Sequence, residues 1–428
     1  MTKVLVVIAD HQIMGEIQCD QRGRLTLVYN DHWRSMDAAY PLSLSMPLVV
    51  AEHKHVKIEP WLWGLLPDNE AVLTRWGQRF HVSPRNAFAL LGAVGEDCAG
   101  AVQLVRPDRV DEILRDDSQQ VEWLTEADIA ERLRTLGKDQ AAWRAARDTG
   151  QFSLAGAQPK TALLYDGQRW GVPYGPTPTT HILKPPIDGF DGHAENEHLC
   201  LTLARILELP AAASEVLKFE DEVAIVVERY DRDRSINTIR RLHQEDLCQV
   251  LGLPPTKKYQ NEGGPGCAEI SEAIRMHSGK PDEDVWTFAR AIMLNWIIGG
   301  TDAHSKNYSM LIGAGGRARL APLYDVASIL PYDSNPRKLK MANKIGGKYR
   351  LEDVYVRHWA KFASEVRLSP AEVLDMGISM ANTIPTAFAQ AATEAKTSGL
   401  DHSIITRMAN ALNNRSEQCA RILSAALN

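Results

Sequence analysis

Long hydrophobic runs and paired cysteines are both missing from this sequence of 428 residues. No apolar run approaches the roughly 20 residues that a bilayer-spanning helix needs. The first residues lack the basic, apolar and small-residue order of a signal peptide. The six cysteines are scattered, without a Cys-x-x-Cys pair, and most have apolar neighbours. We therefore expect reduced core thiols in a cytoplasmic protein that does not contact membranes.

A strong excess of charge of either sign is also missing. The formal net charge is −6, from 48 Lys and Arg against 54 Asp and Glu. This balance gives no global electrostatic reason to bind nucleic acid directly, although a local basic patch is compatible with it. Apolar residues make up 44% and charged residues 24%, which are ordinary values for a globular protein of two or three domains.

The first hundred residues predict a small sheet followed by helices. Residues 4–9 are typical of a buried strand, and residues 13–28 are typical of a strand pair around a turn. Residues 69–80 predict a helix. A second helix is predicted just after it, with Ser83 as the capping residue and Pro84 at the first helical position. Charged, helix-forming residues at 126–147 then predict a connector that packs as a helix.

An apolar run that ends near residue 298 leads into a strongly polar loop, which carries Asp302, His304, Lys306 and Asn307. Asp302 and Asn307 have the spacing that kinase catalytic loops place between the catalytic aspartate and the metal-binding asparagine. Asp325 ends a later short apolar run, as the magnesium-binding aspartate of kinases does. The alternative is a polar loop with a capping aspartate and a solvated lysine, because the pattern alone is weak.

Upstream of this loop, two features resemble the phosphate-binding parts of a kinase. Small residues between Ser153 and Lys160 precede a strand and would let backbone N–H groups approach phosphate oxygens. Lys184 ends a second predicted strand, and a helix predicted to be capped by Asn196 carries Glu197 in its first turn. Kinases use a strand lysine and a helix glutamate to fix the ATP phosphates. The alternatives are less specific. Lys160 could be a solvated lysine in a hairpin, Lys184 a lysine at a strand edge, and Glu197 an acid that only interacts favourably with the helix dipole.

The strand predicted near residues 223–228 becomes polar at Glu228-Arg-Tyr230. In a two-lobed kinase the hinge lies at this point, and its backbone groups contact the adenine edge. Phosphate loop, strand lysine, hinge strand and catalytic loop therefore occur in one order. Their joint occurrence by chance is much less probable than that of any one alone, so the sequence predicts phosphoryl transfer from ATP with magnesium.

Several motifs also carry a family resemblance. The chain resembles the HipA family of bacterial serine/threonine kinase toxins in Ser153-Leu-Ala-Gly-Ala-Gln-Pro-Lys160, Pro178-Thr-Thr-His-Ile-Leu-Lys184, Val227-Glu-Arg-Tyr-Asp-Arg232, Gln244-Glu-Asp-Leu-Cys-Gln249, Lys258-Tyr-Gln-Asn-Glu-Gly-Gly-Pro-Gly266 and Thr301-Asp-Ala-His-Ser-Lys-Asn307. Residues 64–69 and 100–104 resemble the N-terminal subdomain of that family. Pro159 stands where the family often has Glu, and Tyr230 where it often has Phe.

The resemblance implies an α+β fold with two lobes, related to phosphatidylinositol kinases. Residues 1–148 would form a small N-terminal β-rich subdomain and the connector. Residues 149–232 would form part of the kinase N-lobe, with the phosphate loop, the lysine strand and the hinge. Residues 233–428 would form a helical C-lobe that holds the catalytic and metal-binding loops.

Carried over by position, the resemblance implies that Asp302 is the catalytic base and that Asn307 and Asp325 are magnesium ligands. Ser153 matches the serine that family members autophosphorylate, and a phosphate there would compete with ATP for the same amides. ATP would be bound by the phosphate loop, the strand lysine, the hinge and the residues around the catalytic loop, namely Ala155, Gly156, Ala157, Gln158, Lys160, Lys184, Glu228, Arg229, Tyr230, His304, Lys306, Asn307 and Tyr324.

The resemblance further implies the toxin of a type II toxin-antitoxin pair. Its substrate would be an aminoacyl-tRNA synthetase, typically the glutamyl enzyme, whose phosphorylation stops translation and favours persistence. Its partner would be a helix-turn-helix antitoxin of the HipB type, through which the pair would mainly contact operator DNA as corepressor. We interpret residues 258–266 as a mobile segment that accepts a protein substrate. Two alternatives remain: a catalytically silent, nucleotide-binding corepressor, and a kinase for a lipid or small molecule.

Overall fold

The computed structural model describes residues 2–115, 120–143, 152–235, 238–332 and 338–425. The chain forms two compact units and passes between them several times. The first unit comprises Met1–Pro185, Leu217–Pro255 and Met310–Ala318, and the second comprises Pro186–Val216, Thr256–Ser309 and Arg319–Asn428. The linear division after residues 148 and 232 follows other lines and stays a prediction, and its first boundary lies outside the described residues.

An antiparallel sheet of five strands begins the first unit. In the order β4-β3-β2-β1-β5 it contains β1 (Lys3–Ala9), β2 (Gln12–Cys19), β3 (Leu25–Tyr29), β4 (Glu52–Lys54) and β5 (Gln103–Val105). Along β3 the residues Leu25, Leu27 and Tyr29 are buried and alternate with more exposed ones, because successive side chains of a strand point to opposite faces. The strands predicted over residues 4–9 and 13–28 are confirmed.

Five short helices accompany this sheet: α1 (Asp31–Ser35), α2 (His55–Gly64), α3 (Glu70–Phe80), α4 (Ala87–Val94) and α5 (Val110–Arg115). The helix predicted over residues 69–80 is confirmed, with Asn69 as its cap. The prediction that Ser83 caps the next helix is wrong. Asn86 caps α4 by accepting the Ala89 N–H at 3.0 Å, because the chain first makes a turn that uses Ser83.

A second, six-stranded sheet has the order β10-β11-β9-β7-β8-β6. Its strands are β6 (Gln120–Leu124), β7 (Thr161–Tyr165), β8 (Trp170–Tyr174), β9 (His181–Lys184), β10 (Ser214–Phe219) and β11 (Glu222–Glu228). Helix α6 (Glu126–Lys138) packs Ile129, Ala130 and Leu133 against the buried side chains of this sheet. The predicted connector helix therefore ends at Lys138, and residues 144–147 of that prediction lie outside the described residues.

Two small sheets and two helices follow along the chain. Strands β12 (Arg232–Asp233) and β13 (Arg240–Arg241) pair with each other, and β14 (His243–Asp246), β15 (Ser309–Ile312) and β16 (Ala318–Leu320) form a three-stranded sheet. The second unit's first helix is α7 (His193–Ile206), and α8 (Leu247–Leu251) follows β14 in the first unit.

A buried cluster of ions joins the end of β11 to its neighbours in the first unit. Asp97 and Asp231 lie among Arg229, Arg232 and Arg241, with closest N–O distances of 2.8 to 3.3 Å. Burial alone would raise the pKa of Asp97, but attraction to the three guanidinium groups outweighs it and holds that pKa well below its usual range. The cluster therefore holds Arg229 within the predicted hinge, and Asp231 and Arg232 directly after it.

The rest of the second unit is mostly helical. It contains α9 (Cys267–His277), α10 (Pro281–Ile298), α11 (Val356–Glu365), α12 (Pro370–Thr397) and α13 (Ile404–Leu423), together with the strand pair β17 (Lys340–Ile345) and β18 (Lys348–Arg350). Helix α10 lies in the core of this unit, since Phe288, Ile292 and Trp296 along its length are fully buried.

The prediction that Asn196 caps a helix is wrong. Helix α7 begins at His193 behind Gly192, whose φ of 74° is left-handed. Asn196 lies inside the helix and is fully buried, where its side chain accepts the Ser328 N–H and donates to the Ser328 carbonyl. Glu197 therefore lies in the second turn rather than the first.

All six cysteines have free thiols and are buried, so the expected core thiols are confirmed. Burial raises the pKa of the Cys98 and Cys200 thiols to about 12. None of the helices in the described ranges is long and apolar enough to cross a membrane.

Candidate active site

The loop that carries Asp302 begins where α10 ends. Gly299 ends the helix with a left-handed φ of 69°, and a Cβ there would come within 2.7 Å of Leu330. After the turn, the backbone carbonyl of Asp302 accepts two hydrogen bonds of 2.8 Å, from the His304 N–H and from Nδ2 of Asn307. These bonds close residues 302–307 into one compact loop.

The carboxylate of Asp302 is exposed, although the rest of its loop is buried. Asp302 is exposed, whereas residues 303–307 are buried. Because Nδ2 of Asn307 is used inside the loop, Oδ1 is the atom of that side chain that remains for a cation. The arrangement suits two roles. Asp302 can act as a general base towards a hydroxyl group that arrives from solvent, and Oδ1 of Asn307 can act as a metal ligand beside it.

Tyr324 and Asp325 follow on a nearby part of the second unit. The Tyr324 hydroxyl donates to the Lys306 carbonyl at 2.7 Å and accepts from Oγ of Ser309 at 2.6 Å. Asp325 is exposed, and its φ of 53° is left-handed, a conformation that costs a non-glycine residue about 1 kcal/mol or more. The structure thus brings His304, Lys306 and Tyr324 together with Asp302 and Asn307. Asp325 directly follows Tyr324 in the sequence.

The oxygen ligands in this unit fit a magnesium ion that arrives with a nucleotide. Such an ion takes one or two protein ligands and completes its octahedron with phosphate oxygens and water. Asn307 and Asp325 supply that number of hard oxygen atoms. Among the residues that the structure describes, no group of three or more His, Cys, Asp or Glu side chains could hold a metal by itself.

One contact of Asp302 was not predicted from the sequence. The Tyr259 hydroxyl donates to Oδ1 of Asp302 at 2.5 Å, and the Tyr259 ring stands edge-on to the His304 ring with centroids 4.9 Å apart. Tyr259 and Asp302 are 43 residues apart, so no local spacing connects them. The only signal was the motif that begins at Lys258.

Strand β17 holds both of these loops. Nδ2 of Asn343 donates to the Ala303 carbonyl at 3.0 Å, and the Lys344 N–H donates to Oε1 of Gln260 at 2.7 Å. Asn343 is 2% exposed. Sequence analysis missed Asn343, because nothing in its own neighbourhood marks it as part of a site.

In the first unit, the predicted phosphate loop is tied to the N-terminal part of the chain. The Ser153 N–H donates to the Asp97 carbonyl at 2.9 Å, and its hydroxyl donates to the Leu65 carbonyl at 2.8 Å. The Gly156 carbonyl accepts the Asp68 N–H at 2.9 Å. Ser153 is fully buried. The loop is therefore anchored at its start and at Gly156 by backbone groups of Leu65, Asp68 and Asp97.

The middle of the phosphate loop is braced by its own lysine. Nζ of Lys160 donates to the Ala155 carbonyl at 2.8 Å and lies 4.9 Å from the centre of the Trp143 ring. Gly156 has a φ of 103°, and a Cβ there would come within 2.6 Å of Nζ of Lys160. Ala157 is exposed and Gln158 is half-buried. Glycine is thus favoured at position 156 by its backbone conformation, which other residues rarely adopt.

Lys184 ends β9 as predicted and is 4% exposed, opposite Ile225 of β11. Glu228 is half-buried. Arg229 lies in the buried ion cluster, so a nucleotide contact from it is left to its backbone. The Tyr230 hydroxyl donates to Oε1 of Gln244. The assignment of these residues to ATP stays a prediction.

Two family models match most of the chain. Residues 152–388 match the HipA-like C-terminal domain, and residues 5–105 match the HipA N-terminal domain. A relative in Sinorhizobium fredii, the putative kinase Y4mE, is 37% identical over 366 residues, covering 85% of this chain and 86% of the relative. The serine/threonine-protein kinase toxin HipA of Shewanella oneidensis is 28% identical over 403 residues, covering 88% and 87%.

A solved structure has the same fold. It is the complex of HipA, HipB and operator DNA from Shewanella oneidensis MR-1, whose matching chain has a TM-score of 0.82 and 24% identity and covers 99% of this chain and 100% of its own. The fold is therefore α+β, two-lobed and kinase-like, as predicted.

Proposed function

The chain belongs to the HipA family, and we propose that it is an ATP-dependent serine/threonine protein kinase that acts as the toxin of a type II toxin-antitoxin pair. The observation that carries this proposal is the closed loop of residues 302–307. It presents the exposed carboxylate of Asp302 and the amide oxygen of Asn307 at kinase spacing on a buried support. A loose phosphoryl-transfer transition state needs little more from the protein than such positioning, together with cationic groups.

The candidate site residues of the second unit have separate tasks in this mechanism. Asp302 accepts the proton of the attacking serine or threonine hydroxyl. Oδ1 of Asn307 and the carboxylate of Asp325 would hold magnesium, which would supply positive charge to neutralise the phosphate oxygens. Tyr324 keeps the loop in place through the Lys306 carbonyl, and His304 and Lys306 line the same loop.

The first unit supplies the groups that bind ATP. Lys184 provides a fixed positive charge for the phosphates at the end of β9, and the backbone amides of residues 155–158 provide donors. Backbone groups of Glu228, Arg229 and Tyr230 contact the adenine edge. A charge held in place before the reaction stabilises the transition state without reorganisation.

Ser153 is proposed as an autophosphorylation site. Its hydroxyl is fully buried on the Leu65 carbonyl, so the phosphate loop must leave Leu65 and Asp97 before this serine can be phosphorylated. A dianionic phosphate would not return to that buried position, because it would face a carbonyl oxygen and lose its hydration. Autophosphorylation would therefore leave the loop displaced and switch the kinase off.

The partners follow from the family. We propose an aminoacyl-tRNA synthetase, in the first instance the glutamyl enzyme, as the protein substrate in the cytoplasm, with growth arrest and persistence as the result. The Shewanella oneidensis relative was solved with HipB and operator DNA. A helix-turn-helix antitoxin of that type would neutralise this chain, and the pair would repress its own operon.

The deciding experiment is intact-protein mass after incubation with magnesium and ATP. We expect the parent chain to gain phosphate, Ser153→Ala to lose that gain, and Asp302→Asn to lose it as well. Asp375→Asn changes an exposed acid on α12 and serves as the matched control, which should gain phosphate like the parent.

Each other outcome has a definite meaning. If none of the chains gains phosphate while all bind ATP, the chain is a silent corepressor subunit and the proposed kinase activity is wrong. If Ser153→Ala still gains phosphate and Asp302→Asn does not, the kinase stands and the modified residue is another one, which peptide mapping would identify.

A further inference from the structure

We infer that Tyr259 positions the catalytic carboxylate of Asp302. This inference rests on the proposed kinase function and adds a residue to its machinery. The phenol donates to Oδ1 of Asp302 at 2.5 Å, a short charge-assisted hydrogen bond. It leaves Oδ2 for the hydroxyl group of the substrate. An exposed aspartate without such a bond would sample several side-chain rotamers.

The backbone around Tyr259 is held by several hydrogen bonds. The Lys258 carbonyl accepts both the N–H of Ser305, at 3.2 Å, and its Oγ, at 2.9 Å. The Tyr259 carbonyl accepts the N–H groups of Glu262 and Gly264, each at 3.0 Å. These bonds fix the backbone before and after the tyrosine. The start of the segment predicted to be mobile is therefore hydrogen-bonded to the catalytic loop.

The side chain of Tyr259 has a fixed direction as well. Its ring packs edge-on against the ring of His304, which is 5% exposed. Gln260, the next residue, accepts the Lys344 N–H from β17, the same strand that holds Ala303 through Asn343. One strand thus fixes both the loop of Asp302 and the loop of Tyr259, so the distance between phenol and carboxylate is set by backbone anchors on both sides.

These anchors distinguish a positioning residue from a plug. A tyrosine that occupied the place of the substrate hydroxyl would have to leave when substrate bound, and would be expected on a segment with few backbone bonds. Tyr259 has the opposite surroundings. Its removal is therefore expected to slow the transfer step, whereas removal of a plug would accelerate it.

The test uses Tyr259→Phe, which removes only the hydroxyl. We expect the maximal rate of phosphate incorporation, followed by intact mass at saturating magnesium and ATP, to fall roughly 10- to 100-fold, because a misplaced base loses most of its orientation. The ATP concentration at half-maximal rate and the melting temperature should stay as in the parent. A merely structural role would change the melting temperature instead. Tyr355→Phe, which removes a half-exposed phenol in the same unit, is the matched control and should behave like the parent.

The outcomes separate this inference from the proposed function. If the parent chain transfers no phosphate, the kinase proposal fails. If the parent is active and Tyr259→Phe is as active as Tyr355→Phe, the kinase stands and the positioning role is wrong. A Tyr259→Phe chain faster than the parent would overturn the inference in favour of a plug. If Tyr259→Phe melts lower than the parent and also needs more ATP, the tyrosine is structural and the inference is wrong.

Discussion

Lys184 and Asp302 are two ionisable residues that differ strongly in their exposure to solvent. Lys184 is 4% exposed at the end of β9, whereas the carboxylate of Asp302 is exposed on a buried loop. A buried ammonium group holds its charge in a fixed position, which suits the binding of nucleotide phosphates. An exposed carboxylate costs little and can meet a protein substrate. The difference agrees with one residue that binds nucleotide and one that contacts the protein substrate.

Replacement of Lys184 tests the first of these roles. Lys184→Met keeps most of the side-chain volume and removes the charge, so we expect the rate of phosphate incorporation at low ATP to fall roughly 100- to 1,000-fold, as when one preorganised donor is lost. The control is Lys218→Met, at a position on β10 where the lysine side chain is 63% exposed. Equal rates for the two variants would remove Lys184 from the site.

Glu245 predicts an unusual pH dependence of stability. It is 1% exposed and accepts the Leu44 N–H at 2.7 Å, and burial raises its pKa to about 8. Since the unfolded chain ionises near pH 4.5, the stability present below that pH is lost as pH rises towards 8, by about 1.4 kcal/mol per pH unit.

Glu245→Gln imitates the protonated side chain and should remove this loss. In urea unfolding at pH 5, 6, 7 and 8, the variant should gain on the parent as pH rises. Glu16→Gln replaces an exposed carboxylate of β2 and should follow the parent throughout. A constant difference between Glu245→Gln and the parent across these pH values would contradict the prediction.

At the level of helices, strands and loops, local signals were reliable where the chain offers one choice. Lys184 at a strand end and Asn69 at a helix start were predicted because each adjoins a clear strand or helix pattern. The cap of α4 was missed because Ser83 and Asn86 compete within four residues. Asn196 was misplaced because its partner, Ser328, is 132 residues away, a distance that no local pattern reveals.

The same reasoning applies to the candidate site. Asp302, Asn307 and the residues between them lie on one loop, so their spacing alone could predict a shared function. Tyr259 and Asn343 reach that loop from distant segments, and only the folded chain brings them there. Sequence analysis could therefore propose candidate reactive groups on one loop, and it could not predict the residues that hydrogen-bond to that loop.

The buried ion cluster joins several of these elements, and Asp97 is its centre. Asp97→Asn would leave three arginines near one another with a single aspartate, so we expect the free energy of unfolding to fall by about 3 to 5 kcal/mol. Asp111→Asn breaks an exposed pair with Arg115 and should cost less than about 1 kcal/mol. Urea unfolding at pH 7 measures both, and a loss for Asp97→Asn as small as for Asp111→Asn would contradict the prediction.

For the whole molecule, the net charge of −6 bears on DNA binding. Affinity for DNA comes largely from phosphate neutralisation by Lys and Arg, which an acidic chain does not favour. We expect fluorescence anisotropy at about 150 mM salt to detect specific binding of the duplex upstream of the proposed operon only when the proposed helix-turn-helix partner is present. A scrambled duplex is the control. Specific binding by the chain alone would show that it carries a DNA-reading surface of its own.

The attachment of the phosphate loop to Leu65, Asp68 and Asp97 has a consequence for modularity. The part of the chain that resembles a kinase does not contain all the backbone groups that shape the predicted phosphate loop. A gene fragment that began at residue 149 would encode the loop without its scaffold. In this lineage the first hundred residues and the kinase are therefore expected to be inherited together, and recombination that exchanged one without the other would have to rebuild those bonds.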